Sequence, residues 1–270
     1  MAFMASKKSG RICLFGAPFD STASFRPGSR FGPQAIRETS FGLETYSPEQ
    51  DYDLTDISFT DEGDLELPFG DPAPALEIIE KKTASILSDN GIPFLFGGDH
   101  LVSLGAFRAV HSLCPDVKVI HIDAHADLRD EYLGSKLSHA AVIRRISELA
   151  GFDNIRQIGI RSMDRSEVSL ARTLKTDFKA AISWAGNSSV YLTCDLDVLD
   201  PSVLPGTGTP EPGGISFIEL TDTLTPLIKA LKITGIDIVE LAPMIDPTGN
   251  SSVVAAKLVR ECLIAIGKKL

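Results

Sequence analysis

The sequence predicts a single α/β domain with a mostly parallel sheet covered by helices on both faces. Three observations carry that expectation. Apolar strand-type runs alternate with helical patterns along the whole chain, the rhythm of parallel strands joined by crossover helices. Runs such as 92–96 and 190–194 are apolar at nearly every position, as strands buried on both faces must be. Polar residues of chemical type fall just past those runs, at Asp99-His100, Asp123 to Asp127, Asp195 to Asp197 and Glu240. In open parallel sheets that carboxyl edge is where ligands bind, whereas random surface charges would fall at both edges.

The chain has 270 residues, 43% of them hydrophobic, enough to bury a substantial core. Its net charge of −10 lacks the basic footprint of a nucleic-acid binder and suits a cationic small substrate. Four scattered cysteines (Cys13, Cys114, Cys194, Cys262) read as reduced thiols of a cytoplasmic protein. Residues 1–10 carry no apolar signal region and are expected to form a loose tail. No run reaches the length of a membrane span.

Taken in order, residues 11–15 form a short strand closed by Gly16. Residues 18–32, rich in Gly, Pro and Ser, read as a loop. Gly32-Pro33 opens a helix, with Pro33 at a tolerated first position, and that helix ends near Gly42. A strand is expected over 56–59, then an acidic loop, or a short strand at best, over 61–71. From Pro74 the spacing of Leu76, Ile79, Thr83, Ile86 and Leu87 predicts a helix, stopped by Gly91. The strand over 92–96 runs into Gly-Gly-Asp-His, and a helix covers 102–113 up to Pro115. His111 within it reads as a packing or surface histidine.

The next strand begins at Lys118 and carries Val119, Ile120 and Ile122. A polar loop leads to Ser138, a helix N-cap for 139–150, and Gly151 ends that helix. A strand over 156–160 and a helix over 165–174 come after it, while 178–184 is ambiguous. The strand over 190–194 precedes a rigid Pro- and Gly-rich loop at 201–214. Ser216 caps a helix carrying Leu220, Leu224, Leu227, Ile228 and Leu231. A strand over 236–239 and a helix over 251–266 complete the chain. With no repeat and no linker, one domain spans 1–270.

Lys118 to Asp127 is the most informative stretch. Its strand ends in Asp123, His125 and Asp127, spaced by two, so the three side chains leave one face together. Carboxylates held that close repel unless protons or cations lie between them. The competing reading is a surface loop with two solvated aspartates. A second strand ending in Asp195 and Asp197, and a third ending in His100, favour a metal. Six such side chains exceed a tetrahedral zinc site and suit two divalent cations; the oxygen-rich, thiolate-free set favours manganese. Cys194 points to the opposite face. His121 shares the ligand face but lies deeper, which suits a hydrogen-bonded supporting role. Paired divalent cations activate water, so hydrolysis is the expected reaction. No Gly-x-Gly-x-x-Gly fingerprint occurs, and residues 27–32 lack a P-loop lysine, so no nucleotide cofactor is implied.

Gly-Gly-Asp-His at 97–100, Asp-Ala-His-Ala-Asp at 123–127 and Asp-Leu-Asp-Val-Leu-Asp-Pro at 195–201 resemble the ureohydrolase family of arginases and agmatinases. Gly208-Thr209-Pro210 and Val239-Glu240 extend the resemblance, which runs from Pro27 to Glu240. It implies an arginase-like three-layer fold and two Mn2+ ions. One ion would be held by His100, Asp123, Asp127 and Asp195. The other would be held by Asp123, His125, Asp195 and Asp197, with Asp123 and Asp195 bridging. The family cleaves a guanidinium group to urea and an amine. Glu240 matches its guanidinium-binding glutamate, and His139 its proton-shuttling histidine. Family members form trimers or hexamers, so a homo-oligomer is implied. Leu101 and Ala140 depart from the family's usual Ser and Gly.

The loop over 128–136 and Pro210-Glu211-Pro212-Gly213-Gly214 resemble the agmatinase pattern more than the arginase one. Agmatine lacks a carboxylate, and Asp130, Glu131, Asp164 or Glu211 could face its distal cation. Arg129 could instead bind the carboxylate of a guanidino acid. The expected reaction is agmatine and water to putrescine and urea. The alternatives are arginase, guanidinobutyrase or formimidoylglutamase activity, or a non-catalytic family member. A one-zinc deacetylase of related fold would need a His-His pair that the sequence lacks.

Overall fold

The computed structural model describes residues 1–270. The chain opens with β1 (Ile12–Ala17), α1 (Gly32–Ser40) and a small antiparallel pair, β2 (Tyr46–Ser47) and β3 (Tyr52–Asp53). Next come β4 (Phe59–Asp64), α2 (Pro72–Ser88), β5 (Ile92–Gly97), α3 (Val102–Leu113) and β6 (Lys118–Ile122). The chain continues through α4 (Val142–Ala150), β7 (Ile155–Ile158), α5 (Val168–Leu174) and α6 (Phe178–Ala185). β8 (Ser189–Asp195), α7 (Phe217–Ala230), β9 (Lys232–Val239) and α8 (Asn250–Gly267) end it.

Seven strands form one sheet in the order β4-β1-β5-β9-β8-β6-β7, and every pair is parallel. Helices α1, α6, α7 and α8 pack on one face, and α2, α3, α4 and α5 on the other. Apolar side chains of alternate strand positions fill both interfaces, which accounts for the continuous apolar runs in the sequence. No helix is long and apolar enough to cross a membrane.

Three expectations need correction, and one segment left open is assigned. Residues 1–10 do not form a loose tail, because Phe3 and Met4 are buried. The Phe3 N–H donates to Asp61 Oδ2 at 2.7 Å, and the Met4 N–H to Ser40 Oγ at 2.9 Å. The edge strand lies at 59–64 rather than 56–59, so the acids from Asp61 to Asp64 take the short-strand alternative and not the loop. Those acids are tolerated because the buried Arg37 guanidinium binds both Asp61 and Asp64. The ambiguous segment is the helix α6, N-capped by Asp177. Residues 139–141 form a 3₁₀ turn, so α4 proper begins at Val142.

Strand register positions the functional edge. Ile122 pairs with Cys194, Cys194 with Ile238, and Phe96 with Ile238. The four central strands β5, β9, β8 and β6 therefore end at one level. His100 comes just after β5, Glu240 just after β9, and the Asp123 to Asp127 run just after β6. Asp195 closes β8, with Asp197 two residues on.

Candidate metal centre and substrate pocket

His100, Asp123, Asp127 and Asp195 meet above β5, β6 and β8. His100 Nδ1 lies 3.0 Å from Asp123 Oδ2, 3.2 Å from Asp127 Oδ2 and 3.3 Å from Asp195 Oδ2. A second group lies beside it, with His125 Nδ1 2.8 Å from Asp197 Oδ2 and 3.6 Å from Asp123 Oδ1. Asp123 belongs to both groups. Backbone geometry contributes, because Asp127 (φ 53°) and Glu240 (φ 66°) both adopt the left-handed conformation. Such strain in non-glycine residues persists where surrounding structure enforces it, commonly at functional sites.

The electrostatics of this cluster are those of too many anions. Burial pushes the Asp195 carboxyl well up, and the nearby Asp197 and Asp123 push it further. Burial and Asp123 raise Asp197 to about 6. Burial alone would lower His125, but its bonds to Asp123 and Asp197 raise it to about 12. His100 Nδ1 and Asp197 Oδ2 are buried without an aligned hydrogen-bond partner. Imidazole and carboxylate atoms crowded this closely, with these two left without an aligned bond, form an arrangement that a bound cation would satisfy. The donor set of imidazole nitrogens and carboxylate oxygens fits hard divalent cations. Cys194 lies in the apolar core and takes no part.

His121 is close to the first group, yet its hydrogen bonds give it another role. The amide nitrogen of Gln157 lies 2.9 Å from His121 Nδ1 and 2.7 Å from the Ala126 carbonyl. Two amide hydrogens serve those two acceptors, so Nδ1 accepts. The ring hydrogen is then on Nε2, which donates to Asp123 Oδ2 at 2.7 Å. His121 holds a carboxylate in place, as the sequence suggested.

A cavity of about 240 Å³ opens beside the cluster. His139 and Glu240 line it with His100, His125, Asp127 and Asp195. Glu240 Oε1 accepts the His100 N–H at 2.8 Å. Burial and the neighbouring Asp99 push the Glu240 carboxyl well above its usual range. The His139 N–H donates to Thr22 Oγ1 at 3.0 Å, and Thr22 Oγ1 donates to Asp99 Oδ2 at 2.7 Å. His139 Nε2 lies 3.2 Å from Ser24 Oγ at the cavity wall.

The profile of the arginase family matches residues 10–265. The chain belongs to the arginase family. It is 44% identical over 264 residues to the agmatinase of Halalkalibacterium halodurans, covering 94% of this chain and 91% of that one. It is 33% identical over 271 residues to the guanidinobutyrase of Pseudomonas aeruginosa, covering 93% and 85%. A crystal structure from Clostridium difficile, described as a candidate agmatinase, superposes with a TM-score of 0.94 at 44% identity. It covers 97% of this chain and 99% of that one.

Not every sequence expectation for this arginase-family site survives. Asp164 does not line the cavity; its carboxylate caps its own turn, accepting the Ser166 N–H and hydroxyl. Glu211 does not line it either, and its carbonyl accepts from Arg161 at 2.6 Å. The same guanidinium reaches the Asp197 carbonyl at 2.7 Å, which ties the 201–214 loop to the acid turn. Asp130 pairs with Arg145, and Glu131 also stays outside the cavity. The carboxylate that sequence reading missed is Glu167. It is buried, lines the cavity, and accepts the Leu128 N–H at 2.7 Å and the Asp164 N–H at 2.6 Å. Its only signal in sequence was an Asp-x-x-Glu helix-start pattern, which hides a pocket residue behind a capping role. Arg129 also lines the cavity, with Nε 3.9 Å from Glu167 and its guanidinium 4.5 Å above the Tyr132 ring. Leu101, where the family usually has Ser, is fully buried core.

Proposed function

We propose that the chain is a binuclear manganese hydrolase that converts agmatine and water to putrescine and urea. The observation that carries this reading is the pair of His/Asp groups sharing Asp123 beside a pocket walled by Glu240 and His139. Its relatives named agmatinase support the substrate. We assign one ion to His100, Asp123, Asp127 and Asp195, and the other to Asp123, His125, Asp195 and Asp197. The chemistry supplied there when both ions are bound is activation of water for attack.

The chain's own residues do the rest. Glu240 Oε1 is engaged by the His100 backbone, while Oε2 faces toward Gly208. A fixed carboxylate pairs well with a planar guanidinium and orients its carbon for attack. When the C–N bond to the alkyl amine breaks, the departing nitrogen needs a proton. We assign that proton delivery to His139, whose Nε2 lies at the cavity wall. The distal cation of agmatine we assign to Glu167, the cavity carboxylate outside the metal set and Glu240. Asp164 and Glu211 have no such exposure to the cavity.

A second reading rests on Arg129. Its guanidinium lines the same cavity and would pair with the carboxylate of 4-guanidinobutyrate. Urea release from agmatine, arginine and 4-guanidinobutyrate separates the two. Agmatine is expected to give the largest kcat/KM, and Glu167→Gln to raise its KM about tenfold, or about 1.4 kcal/mol, close to the low end of the roughly 1.5–3 kcal/mol of a hydrogen bond to a charged group. Preference for 4-guanidinobutyrate would overturn the substrate assignment. No turnover of any of the three by the metal-loaded protein would favour a non-catalytic member.

We further propose a cytoplasmic homo-oligomer, trimeric or hexameric as the resemblance implies. Phe25, Phe69, Leu133 and Met244 support self-association, since all four are strongly exposed in segments that follow strand ends at the functional edge. Sedimentation velocity tests it, and a monomer at micromolar concentration would overturn it.

A further inference from the structure

Beneath the metal centre lies a row of buried polar residues that apolar packing does not explain. Gln157, His121, Thr193 and Asp237 are register partners across β7, β6, β8 and β9, and all four are fully buried. The His121 end supports Asp123. The other end has a separate set of bonds. His100 Nε2 lies 2.9 Å from Thr193 Oγ1. Thr193 Oγ1 donates to Asp237 Oδ1 at 2.6 Å, and the Tyr191 hydroxyl donates to Asp237 Oδ2 at 2.5 Å. Gly235 makes room for that tyrosine, since a Cβ there would lie 3.0 Å from the Tyr191 ring.

Burial raises the Asp237 carboxyl, but two hydroxyls converge on it as on a carboxylate, and with Asp237 ionised hydrogen counting gives the direction. Thr193 has one hydroxyl hydrogen, and the Asp237 carboxylate takes it. Toward His100 the hydroxyl therefore accepts, so His100 Nε2 carries hydrogen. The other nitrogen, Nδ1, faces three carboxylates with no aligned partner. We infer that Thr193 and Asp237 are positioning residues that hold His100 by Nε2–H and so present Nδ1 to the metal. The inference rests on the metal-centre reading above. Outer partners of this kind commonly change metal affinity 10–100-fold when removed.

The test uses the full-length chain and the variants Thr193→Val, Thr193→Ser and Asp237→Asn. Calorimetric titration with Mn2+ is combined with ¹⁵N–¹H spectra of the histidine rings and unfolding midpoints of the metal-free proteins. Thr193→Val is expected to weaken Mn2+ binding about 10–100-fold, with Thr193→Ser restoring it to within about twofold. Asp237→Asn should weaken it by about tenfold, the low end of that range. A slowly exchanging His100 Nε2–H should be present in the parent and in Thr193→Ser, and lost in Thr193→Val. The inference is overturned if Thr193→Val and Asp237→Asn bind Mn2+ as the parent does, even with lowered unfolding midpoints, or if the parent shows no protected ring N–H. Should Thr193→Val fail to fold, Asp237→Asn and the parent spectrum still decide. A parent that binds no Mn2+ would sink the proposed function, while the ring N–H would still report on the relay.

Discussion

Asp123 and Asp195 leave the sheet at the same height on neighbouring strands. The residues before them, Ile122 and Cys194, are register partners in β6 and β8. Neighbouring strands lie about 4.8 Å apart, close enough for both carboxylates to face one small volume. His100 Nδ1 touches both, at 3.0 and 3.3 Å.

The first prediction concerns the shared carboxylate. Asp123 faces His100 of one group and His125 of the other, so Asp123→Asn should disturb both ions rather than one. Metal content is expected to fall below one ion per chain, with affinity reduced more than the roughly 10–100-fold typical of outer-shell partners. Elemental analysis after dialysis checks it; two retained ions would contradict the shared role.

His139→Ala should slow turnover without emptying the metal centre. A positioned acid or base commonly contributes 10²–10⁴-fold, so a loss in kcat of about 10²-fold is expected. Elemental analysis should still find two ions. Unchanged kcat would remove the proton-delivery role.

Protons and cations compete for the same atoms in the cluster. His125 is raised to about 12 by its carboxylate neighbours, so its Nδ1 must lose a proton before it can coordinate. Asp197, at about 6, adds a second competing proton at lower pH. Mn2+ affinity should therefore rise as pH increases from 6 to 8, by up to about tenfold per unit for each proton released. Titration calorimetry in buffers of different ionisation enthalpy measures that release. A pH-independent affinity with no proton release would exclude these groups as ligands.

Arg37 tests the packing of the N-terminal segment. Its guanidinium is 3% exposed, and its partner Asp61 is completely buried. Asp61 also accepts the Phe3 N–H. Arg37→Ala would strand that carboxylate and is expected to cost about 3–5 kcal/mol, as breaking a buried ion pair does. Chemical denaturation measures the loss, and faster proteolysis near the N-terminus should accompany it. A change below about 1 kcal/mol, the level of an exposed pair, would contradict the assigned burial.

The amino-acid order by itself determined the architecture and the metal-type residues. Apolar runs announced the strands of the central sheet, and acids spaced by two at their ends announced side chains leaving one face together. These are local signals, because the period of a strand is written in adjacent residues. Misreadings arose where a distant partner overrode local character. The acids of β4 looked like a loop until Arg37, more than twenty positions earlier, neutralised them. The first ten residues looked loose until Phe3 found its place in the core. Glu167 passed unremarked inside the helix expected over 165–174, and only the fold turned it into the wall of the pocket. Asp164 and Glu211 sat in promising loops, but the loops turn their carboxylates elsewhere. Strand order, register and loop direction are set by contacts between residues far apart in the chain. No local pattern encodes them, so only the tertiary structure decided which acids face the substrate cavity and which buried hydroxyl steadies His100.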